Sequence, residues 1–174
     1  MWRYIVPIAV FATLVGFFYF GLDRDQQTLP SPLIGKPAPV FSLPTVEDPT
    51  KTVSNKEFVG KPYLLNVWGT WCPECRYEHE VLLEIQRRQD VVIIGFDWKD
   101  ELDSAQRWLT QLGNPYTVTV FDSEGRAAID WGVYGAPESF LVDAQGIIVE
   151  KHVGALTMQI WEDKFLPKLK EMRE

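Results

Sequence analysis

The two cysteines of the chain, Cys72 and Cys75, lie between a predicted strand and a predicted helix. Tyr63–Trp68 is mostly apolar and of strand length, which is typical of a strand buried in the centre of a sheet. Pro73–Arg88 carries apolar residues on one face, which predicts a helix that begins directly after Cys72. A buried strand followed at once by a helix favours the α/β class and places the cysteine pair at the helix N-terminus.

The rest of the chain predicts further elements that complete a mixed sheet with helices on both faces. These are an early hairpin (residues 40–43 and 51–53), strands at 91–96 and 116–121, helices at 101–112 and 127–131, a closing hairpin (139–142 and 147–152) and a final helix at 157–172. We expect Pro167 to kink that final helix or to start a new turn in it.

The N-terminus is a separate segment. Residues 4–22 carry no charge, and as a helix they would span roughly 28 Å, close to the apolar thickness of a bilayer. Arg3 precedes the run, which favours a cytoplasmic N-terminus and an exported remainder. A cleaved signal peptide is the alternative, but its apolar region is usually shorter and ends in small residues. We expect a membrane anchor at residues 1–22, a proline-rich tether at 23–39 and a globular domain at 40–174.

Composition excludes several classes of protein. The net charge of −7 argues against general nucleic-acid binding, which usually needs a basic surface. Two cysteines are too few for a disulfide-stabilised scaffold. With 174 residues the chain can bury a core without such bonds.

The position of the cysteine pair favours redox chemistry. Unpaired N–H groups and the positive end of the helix dipole stabilise a thiolate at a helix N-terminus, and the thiolate is the reactive form of cysteine. Cys75 lies one turn further on and can close a small disulfide ring with Cys72. This arrangement predicts an exposed attacking Cys72 and a covered resolving Cys75.

Three other uses of the pair need weighing. A structural zinc site needs four ligands, and His79 and His152 lack the required spacing. Covalent haem attachment needs histidine directly after the second cysteine, where this chain has Arg76. A purely structural disulfide stays open, although so short a loop stabilises a fold little.

The residues around the pair resemble a known family. The segment Trp71-Cys72-Pro73-Glu74-Cys75 after an apolar strand resembles the active site of the thioredoxin superfamily. Residues 132–143, 65–68 and 75–79 are similar to the CcmG/DsbE family, the membrane-tethered periplasmic proteins of cytochrome c maturation. The resemblance extends over essentially the whole chain, including the apolar N-terminus.

The resemblance implies a thioredoxin-like fold and a thiol:disulfide oxidoreductase without metal or cofactor. Cys72 would attack a substrate disulfide and Cys75 would resolve the mixed disulfide. The substrate would be the haem-binding cysteines of apocytochrome c or a disulfide linked to them. A membrane thiol-disulfide transporter of the DsbD or CcdA type would reduce the protein again. The domain would face the periplasm from a single-pass anchor in the inner membrane.

The resemblance also implies roles for residues near the pair. It implies that Ala136–Pro137 is a cis peptide facing the cysteines and that the main chain of Ala136 pairs with substrate. Without it, Pro137 would be read as part of an ordinary turn. Trp71 would shield Cys72 or contact substrate, although packing alone would also explain it.

Two glutamates are candidates for moving a proton. Glu78 lies three residues after Cys75 on one helix face, and Glu138 follows Pro137. Ordinary thioredoxins carry a buried aspartate at the position of Asn66, so another carboxylate would have to accept the proton of Cys75. The resemblance implies that both glutamates line an acidic active site; the alternative is that both are solvated surface acids.

Other predictions depend on charge and position. Acidic surroundings disfavour a thiolate and so predict a reductant. Residues 97–100 end a predicted strand, where they form either part of a ligand site or a loop entry. His79 is expected on the helix surface. A thiol peroxidase of thioredoxin fold and a module that only holds apocytochrome are the competing functions.

Overall fold

The computed structural model describes residues 2–22 and 31–172. The chain divides into two compact units, Met1–Pro30 and Ser31–Glu174. In the first unit, Trp2–Leu22 forms helix α1. Among the described helices, none is long and apolar enough to cross a membrane, so the predicted transmembrane helix is not confirmed. The first part of the predicted tether, residues 23–30, lies outside the described residues.

A five-stranded mixed sheet forms the centre of the second unit, with strand order β5-β4-β3-β6-β7. Strand β3 is parallel to β4 and antiparallel to β6, β4 is parallel to β5, and β6 is antiparallel to β7. The strands are β3 (Tyr63–Trp68), β4 (Val92–Trp98), β5 (Val118–Asp122), β6 (Glu138–Val142) and β7 (Ile148–Val153). Every residue of β3 is buried, as expected for the central strand. The predicted mixed sheet is confirmed.

Helices connect and follow these strands close to the predicted places. They are α2 (Pro73–Arg88), α3 (Leu102–Leu112), α4 (Arg126–Asp130), α5 (Met158–Ile160) and α6 (Leu166–Glu171). A π-helical turn, Trp161–Phe165, separates α5 from α6, and Pro167 lies in the first turn of α6. The expected interruption near Pro167 is therefore present.

The sheet separates two apolar cores. Alternate residues of β3, such as Leu64 and Trp68, pack with α2, α3 and the C-terminal helices. We call this side of the sheet the α2 face. Leu65 and Val67 point to the other side and pack with Ala128 of α4, and we call this side the α4 face. Because successive residues of a strand point to opposite faces, the parity of a residue decides which core it joins.

Short segments border the two edges of the sheet. Strands β1 (Ser42–Pro44) and β2 (Thr52–Ser54) form the predicted early hairpin, and Thr45 beside it bridges to β5. The N–H of Gly35 donates to Ile148 at 2.8 Å, and Pro37 bridges to residue 147. Residues 31–39, which the sequence analysis assigned to the tether, therefore pair with the globular domain along β7.

Candidate active site

Cys72 and Cys75 form a disulfide at the N-terminus of α2. Cys72 is the N-cap residue of the helix, and its Sγ accepts a hydrogen bond from the N–H of Cys75 at 3.1 Å. Pro73 occupies the first helical turn, where the N–H that it lacks would have no helical partner. The strand-to-helix junction read from the sequence therefore presents the pair to the positive end of a helix dipole.

The expected difference in exposure between the two cysteines is wrong for this oxidised state. Cys72 is 2% exposed and Cys75 is 3% exposed. Both belong to one apolar cluster with Trp68, and Ala136 packs against that cluster. Because its sulfur is bonded to that of Cys75, Cys72 packs with its partner instead of projecting into solvent.

Trp71 packs against the end of β4 and is partly exposed. Its indole Nε1 donates to the carbonyl of Trp98 at 3.0 Å, and the two rings meet edge to face with centroids 5.6 Å apart. Half of the Trp71 side chain is still exposed beside Cys72. Packing therefore fixes the ring, and the exposed part remains available to a bound substrate.

Residues 97–100 border the cysteine loop. The main-chain N–H and the hydroxyl of Thr70 both donate to the carboxylate of Asp100, the hydroxyl at 2.7 Å. Asp100 also accepts from the N–H of Glu101 at 2.7 Å. The segment is thus a loop entry that holds the turn before Cys72, which was one of the two uses expected for it.

Glu78 is buried, so it is not a solvated surface acid. Its side chain is on the α2 face with 1% of the residue exposed. Oε1 accepts from Asn66 Nδ2 and Oε2 accepts from the N–H of Leu156, both at 2.8 Å. Burial outweighs these bonds and raises the pKa of Glu78 to about 8. At neutral pH the carboxyl is mostly protonated, and its pKa suits proton exchange with a thiol.

Asn66 organises the polar groups beneath Glu78. Its Nδ2 also donates to Ser139 Oγ at 3.2 Å, and its Oδ1 accepts from the hydroxyl of Tyr116 at 2.9 Å. Burial, with smaller effects from Glu78 and Asp97, raises the pKa of Tyr116 well above its ordinary value. Asn66 therefore connects Glu78 to neutral hydrogen-bonding partners.

Tyr116 was missed in the sequence analysis. Its ring stacks on Trp68 with centroids 5.7 Å apart. A Cβ added at Gly95 would lie 2.8 Å from this ring, so the missing side chain of Gly95 makes room for Tyr116. Because these contacts join distant parts of the chain, no local pattern near Tyr116 predicts them.

Asp97 is a second buried carboxyl that the sequence did not distinguish from its neighbours. It pairs in register with Trp68 at the end of β4 and is fully buried. Burial, reinforced by the charge of Asp100, raises the pKa of Asp97 to about 9. The α2 face therefore holds two carboxyls, Glu78 and Asp97, that are mostly neutral at pH 7.

Glu138 does not join this group, contrary to expectation. It has the same parity along β6 as Phe140 and Val142, which belong to the core of the α4 face. Its Oε2 lies 2.8 Å from Lys151 Nζ, with the side chains 0% and 7% exposed. The structure therefore places Glu138 on the side of the sheet opposite Glu78, in a buried ion pair.

The segment before Glu138 ends against the apolar cluster that contains the cysteine pair. Ala136–Pro137 is a cis peptide, as the resemblance implied. Ala136 packs against the cluster that contains both cysteines, while Tyr134 earlier in the segment is 70% exposed. The segment therefore runs from an exposed tyrosine to a residue that packs against the cluster of the two cysteines.

His79 is buried, so its expected place on the helix surface is wrong. Its Nε2–H donates to the carbonyl of Gly113 at 3.0 Å, and Nδ1 accepts from Trp108 Nε1 at 3.4 Å. Burial lowers the pKa of His79. His79 is therefore a hydrogen-bonded core residue between α2 and α3.

Within residues 2–22 and 31–172, no group of three or more His, Cys, Asp or Glu could hold a metal ion.

Comparisons with known proteins identify relatives that are thiol:disulfide interchange proteins. The Redoxin family matches residues 33–164. The thiol:disulfide interchange protein DsbE of Allochromatium vinosum is 46% identical over 165 residues, covering 95% of this chain and 91% of that protein. DsbE of Pseudomonas aeruginosa is 44% identical, covering 97% and 93%. A crystal structure of a thiol:disulfide interchange protein of the thioredoxin family from Chlorobium tepidum TLS matches with a TM-score of 0.63 at 28% identity, covering 79% and 96%.

Proposed function

The chain belongs to the DsbE family of thiol:disulfide interchange proteins, and on that premise we propose that it reduces disulfides of exported proteins, among them apocytochrome c. Thiol:disulfide oxidoreductase activity and a thioredoxin-like fold are properties of the family. The direction of the reaction, the substrate and the location are the proposal. The observation that carries it is the buried carboxyl of Glu78 beside Cys75, with its pKa raised to about 8.

The proposed reaction begins with the protein as a dithiol. The thiolate of Cys72 attacks one sulfur of the substrate disulfide, and the other substrate sulfur leaves as a thiolate. Cys75 loses its proton to Glu78 in the minority of molecules whose carboxyl is ionised at pH 7, and its sulfur attacks the sulfur of Cys72. The second substrate sulfur leaves, so two electrons pass to the substrate and the protein ends as the disulfide seen in the structure.

Glu78 is suited to accept that proton. It lies three residues after Cys75, one turn along the same helix face. Asn66 and the main chain of residue 156 hold its two oxygens, so the carboxyl keeps one orientation. With the site oxidised, the raised pKa of Glu78 lets the carboxyl retain the proton that Cys75 gave up.

The environment of Cys72 supports the reducing direction. A dithiol is oxidising when the protein strongly stabilises its thiolate. The residues around Cys72, among them Trp68, form an apolar cluster, and apolar surroundings disfavour a thiolate. This argument replaces the one from acidic surroundings, because Glu78 is mostly neutral at pH 7 and Glu138 is paired with Lys151.

Two measurements test the direction and the roles of the cysteines. Equilibration of the pair with glutathione should give a potential well below that of a dedicated oxidant, which is roughly −120 mV. Cys75→Ser should accumulate a mixed disulfide with substrate, and Cys72→Ser should not. A potential as high as that of the oxidant, or equal trapping by both variants, would contradict the proposal.

The substrate and the partners are proposed from the family resemblance. A peptide with a Cys-x-x-Cys-His segment, oxidised to its internal disulfide, should be reduced by the dithiol protein. A membrane transporter of the DsbD or CcdA type would return electrons to the pair. If the protein reduces an unrelated peptide disulfide normally but not this peptide, apocytochrome c is not its substrate. The proposed disulfide-reductase activity would then still hold.

We also propose that the redox domain works in the periplasm on an inner-membrane anchor at residues 1–22. This proposal is supported by the uncharged run at residues 4–22 and by Arg3 before it. Alkaline extraction of membranes should leave the full-length protein in the pellet. N-terminal sequencing should begin near Met1, and a start at or beyond residue 20 would show a cleaved signal instead.

A further inference from the structure

We propose that Lys151, through its ion pair with Glu138, holds the segment 132–136 in the shape that receives a protein substrate beside Cys72. Lys151 would be a positioning residue, because it lies on the α4 face and acts through Glu138 and the main chain. The inference rests on the proposed reduction of protein disulfides, and it makes this segment a determinant of which disulfides react.

The ion pair is joined to the segment by four contacts. Glu138 Oε1 accepts from the N–H groups of Tyr134 and Gly135 at 3.1 and 3.3 Å. Lys151 Nζ donates to the carbonyl of Gly132 at 2.9 Å and lies 5.0 Å from the centre of the Tyr134 ring. The carboxylate therefore holds the N–H groups in the middle of the segment, and the ammonium holds its beginning.

The position of the segment gives this support a functional meaning. Its last residue, Ala136, packs against the cluster that contains the disulfide, and Tyr134 is 70% exposed. We therefore expect a protein that brings a disulfide to Cys72 to contact this segment. A small disulfide can reach Cys72 with little contact to it, so the two kinds of substrate should depend differently on the shape of the segment.

Charge alone does not account for a buried pair at this place. Burying two charges costs desolvation free energy that offsets much of their attraction, so a buried ion pair is weak evidence of a gain in stability. Here each charged group also bonds the main chain of one exposed segment, which gives the pair a definite geometric task. The ion pair between Lys168 of α6 and Glu150 of β7 is a contrast, because the side chain of Lys168 is 42% exposed and that of Glu150 is 16% exposed.

The test compares two substrates of the reduced protein. One is the oxidised Cys-x-x-Cys-His peptide, and the other is oxidised glutathione. Lys151→Met and Glu138→Gln should each lower the second-order rate constant for the peptide about tenfold, mainly through KM, and change that for glutathione less than about twofold. The matched control, Lys168→Met, should leave both rate constants unchanged.

The equilibrium with glutathione separates positioning from direct electrostatics. If the pair only positions the segment, neither variant should change the equilibrium constant of the Cys72–Cys75 couple by more than about threefold. If instead the two charges act on Cys72, Lys151→Met and Glu138→Gln should shift the constant in opposite directions, because they remove opposite charges. Opposite shifts would overturn the proposal.

A double variant covers the case in which Lys151→Met does not fold. Lys151→Met combined with Glu138→Gln leaves no charge unpaired and should fold, but it lacks the bond to Gly132 and should still reduce the peptide at least about threefold more slowly. A wild-type rate for the peptide in the double variant would overturn the inference. If the wild type itself reduces no peptide disulfide, the proposed function fails instead.

Discussion

The two faces of the central sheet each bury one glutamate near the active site, with opposite results. Glu78 on the α2 face bonds only neutral groups, and burial raises its pKa to about 8. Glu138 on the α4 face lies 2.8 Å from Lys151 Nζ in an ion pair. The two side chains are equally buried, yet Glu78 is mostly neutral and can take part in proton transfer. Glu138 pairs with a cation and is suited to a structural task. The partner within hydrogen-bonding distance decides between these uses.

The largest expected effect comes from replacing the proton acceptor on the α2 face. Glu78→Gln keeps the shape of the side chain but cannot take the proton of Cys75. We expect resolution of a preformed mixed disulfide to slow about 100-fold, within the usual range for general acid–base catalysis. Single-turnover decay of the mixed disulfide, followed by gel or mass spectrometry, measures this step.

Glu124→Gln is the control for that experiment, because Glu124 is an exposed acid paired with Arg126. It should leave the resolution rate unchanged. Glu138→Gln should also leave it unchanged, since its carboxyl lies on the other face of the sheet. A slow resolution step in Glu138→Gln with a normal one in Glu78→Gln would reverse the comparison between the two faces.

The next effect concerns the stability of the α4 face. Lys151→Met leaves Glu138 buried without its cation, and we expect the free energy of unfolding to fall by about 3–5 kcal/mol. Lys168→Met removes the partly exposed pair with Glu150 and should cost about 1 kcal/mol or less. Urea denaturation of the oxidised proteins compares the two. Equal losses would show that burial of the Lys151 pair has no energetic consequence.

The α2 face should make stability depend on pH. The pKa of Glu78 is about 8 in the folded protein against 4.5 in an unperturbed carboxyl. Between these pH values the unfolded chain loses the proton while the folded protein keeps it, so the free energy of unfolding should fall as pH rises. Below about pH 4.5 both states are protonated, so Glu78 no longer makes the free energy of unfolding depend on pH, and that free energy is at its highest with respect to this group. Asp97, with a pKa of about 9, extends the same trend to higher pH.

Glu78→Gln should remove part of that trend. We expect the wild type to lose a few kcal/mol more than the variant between pH 5 and pH 8, since one pKa unit corresponds to about 1.4 kcal/mol. Urea denaturation at three pH values measures the slopes. A wild type that becomes more stable over this range, relative to the variant, would mean that Glu78 is ionised in the fold.

The same two faces show what the sequence can and cannot predict. The spacing of Glu78 from Cys75 on a helix predicted their shared face, because helical neighbours are local. Glu138 was assigned to the active site from the family resemblance, although strand alternation puts it with Phe140 on the α4 face. Parity along β6 was the signal that could have corrected this assignment.

Other parts of the site depend on contacts that no local pattern encodes. Lys151 lies between Glu150 and His152 in a run of three polar residues, which is typical of a solvated segment, yet it is buried against Glu138. Tyr116 reaches Asn66 across fifty positions of the chain. The strand-to-helix junction could be read locally, whereas the partners that set the charge of each carboxyl could not.

The smallest expected effect tests the polar connection beneath Glu78. Tyr116→Phe keeps the stack on Trp68 but removes the hydroxyl that donates to Asn66. The buried Oδ1 of Asn66 then lacks that donor, which should lower the free energy of unfolding by about 1–2 kcal/mol. Tyr77→Phe on the exposed surface of α2 is the control and should change it by less than about 0.5 kcal/mol. Because Asn66 also orients Glu78, the pH profile of the resolution step should be shifted in Tyr116→Phe. The KM of this variant for the oxidised Cys-x-x-Cys-His peptide should equal that of the wild type. A raised KM with an unchanged pH profile would place Tyr116 in substrate recognition and would contradict the separation of the two faces.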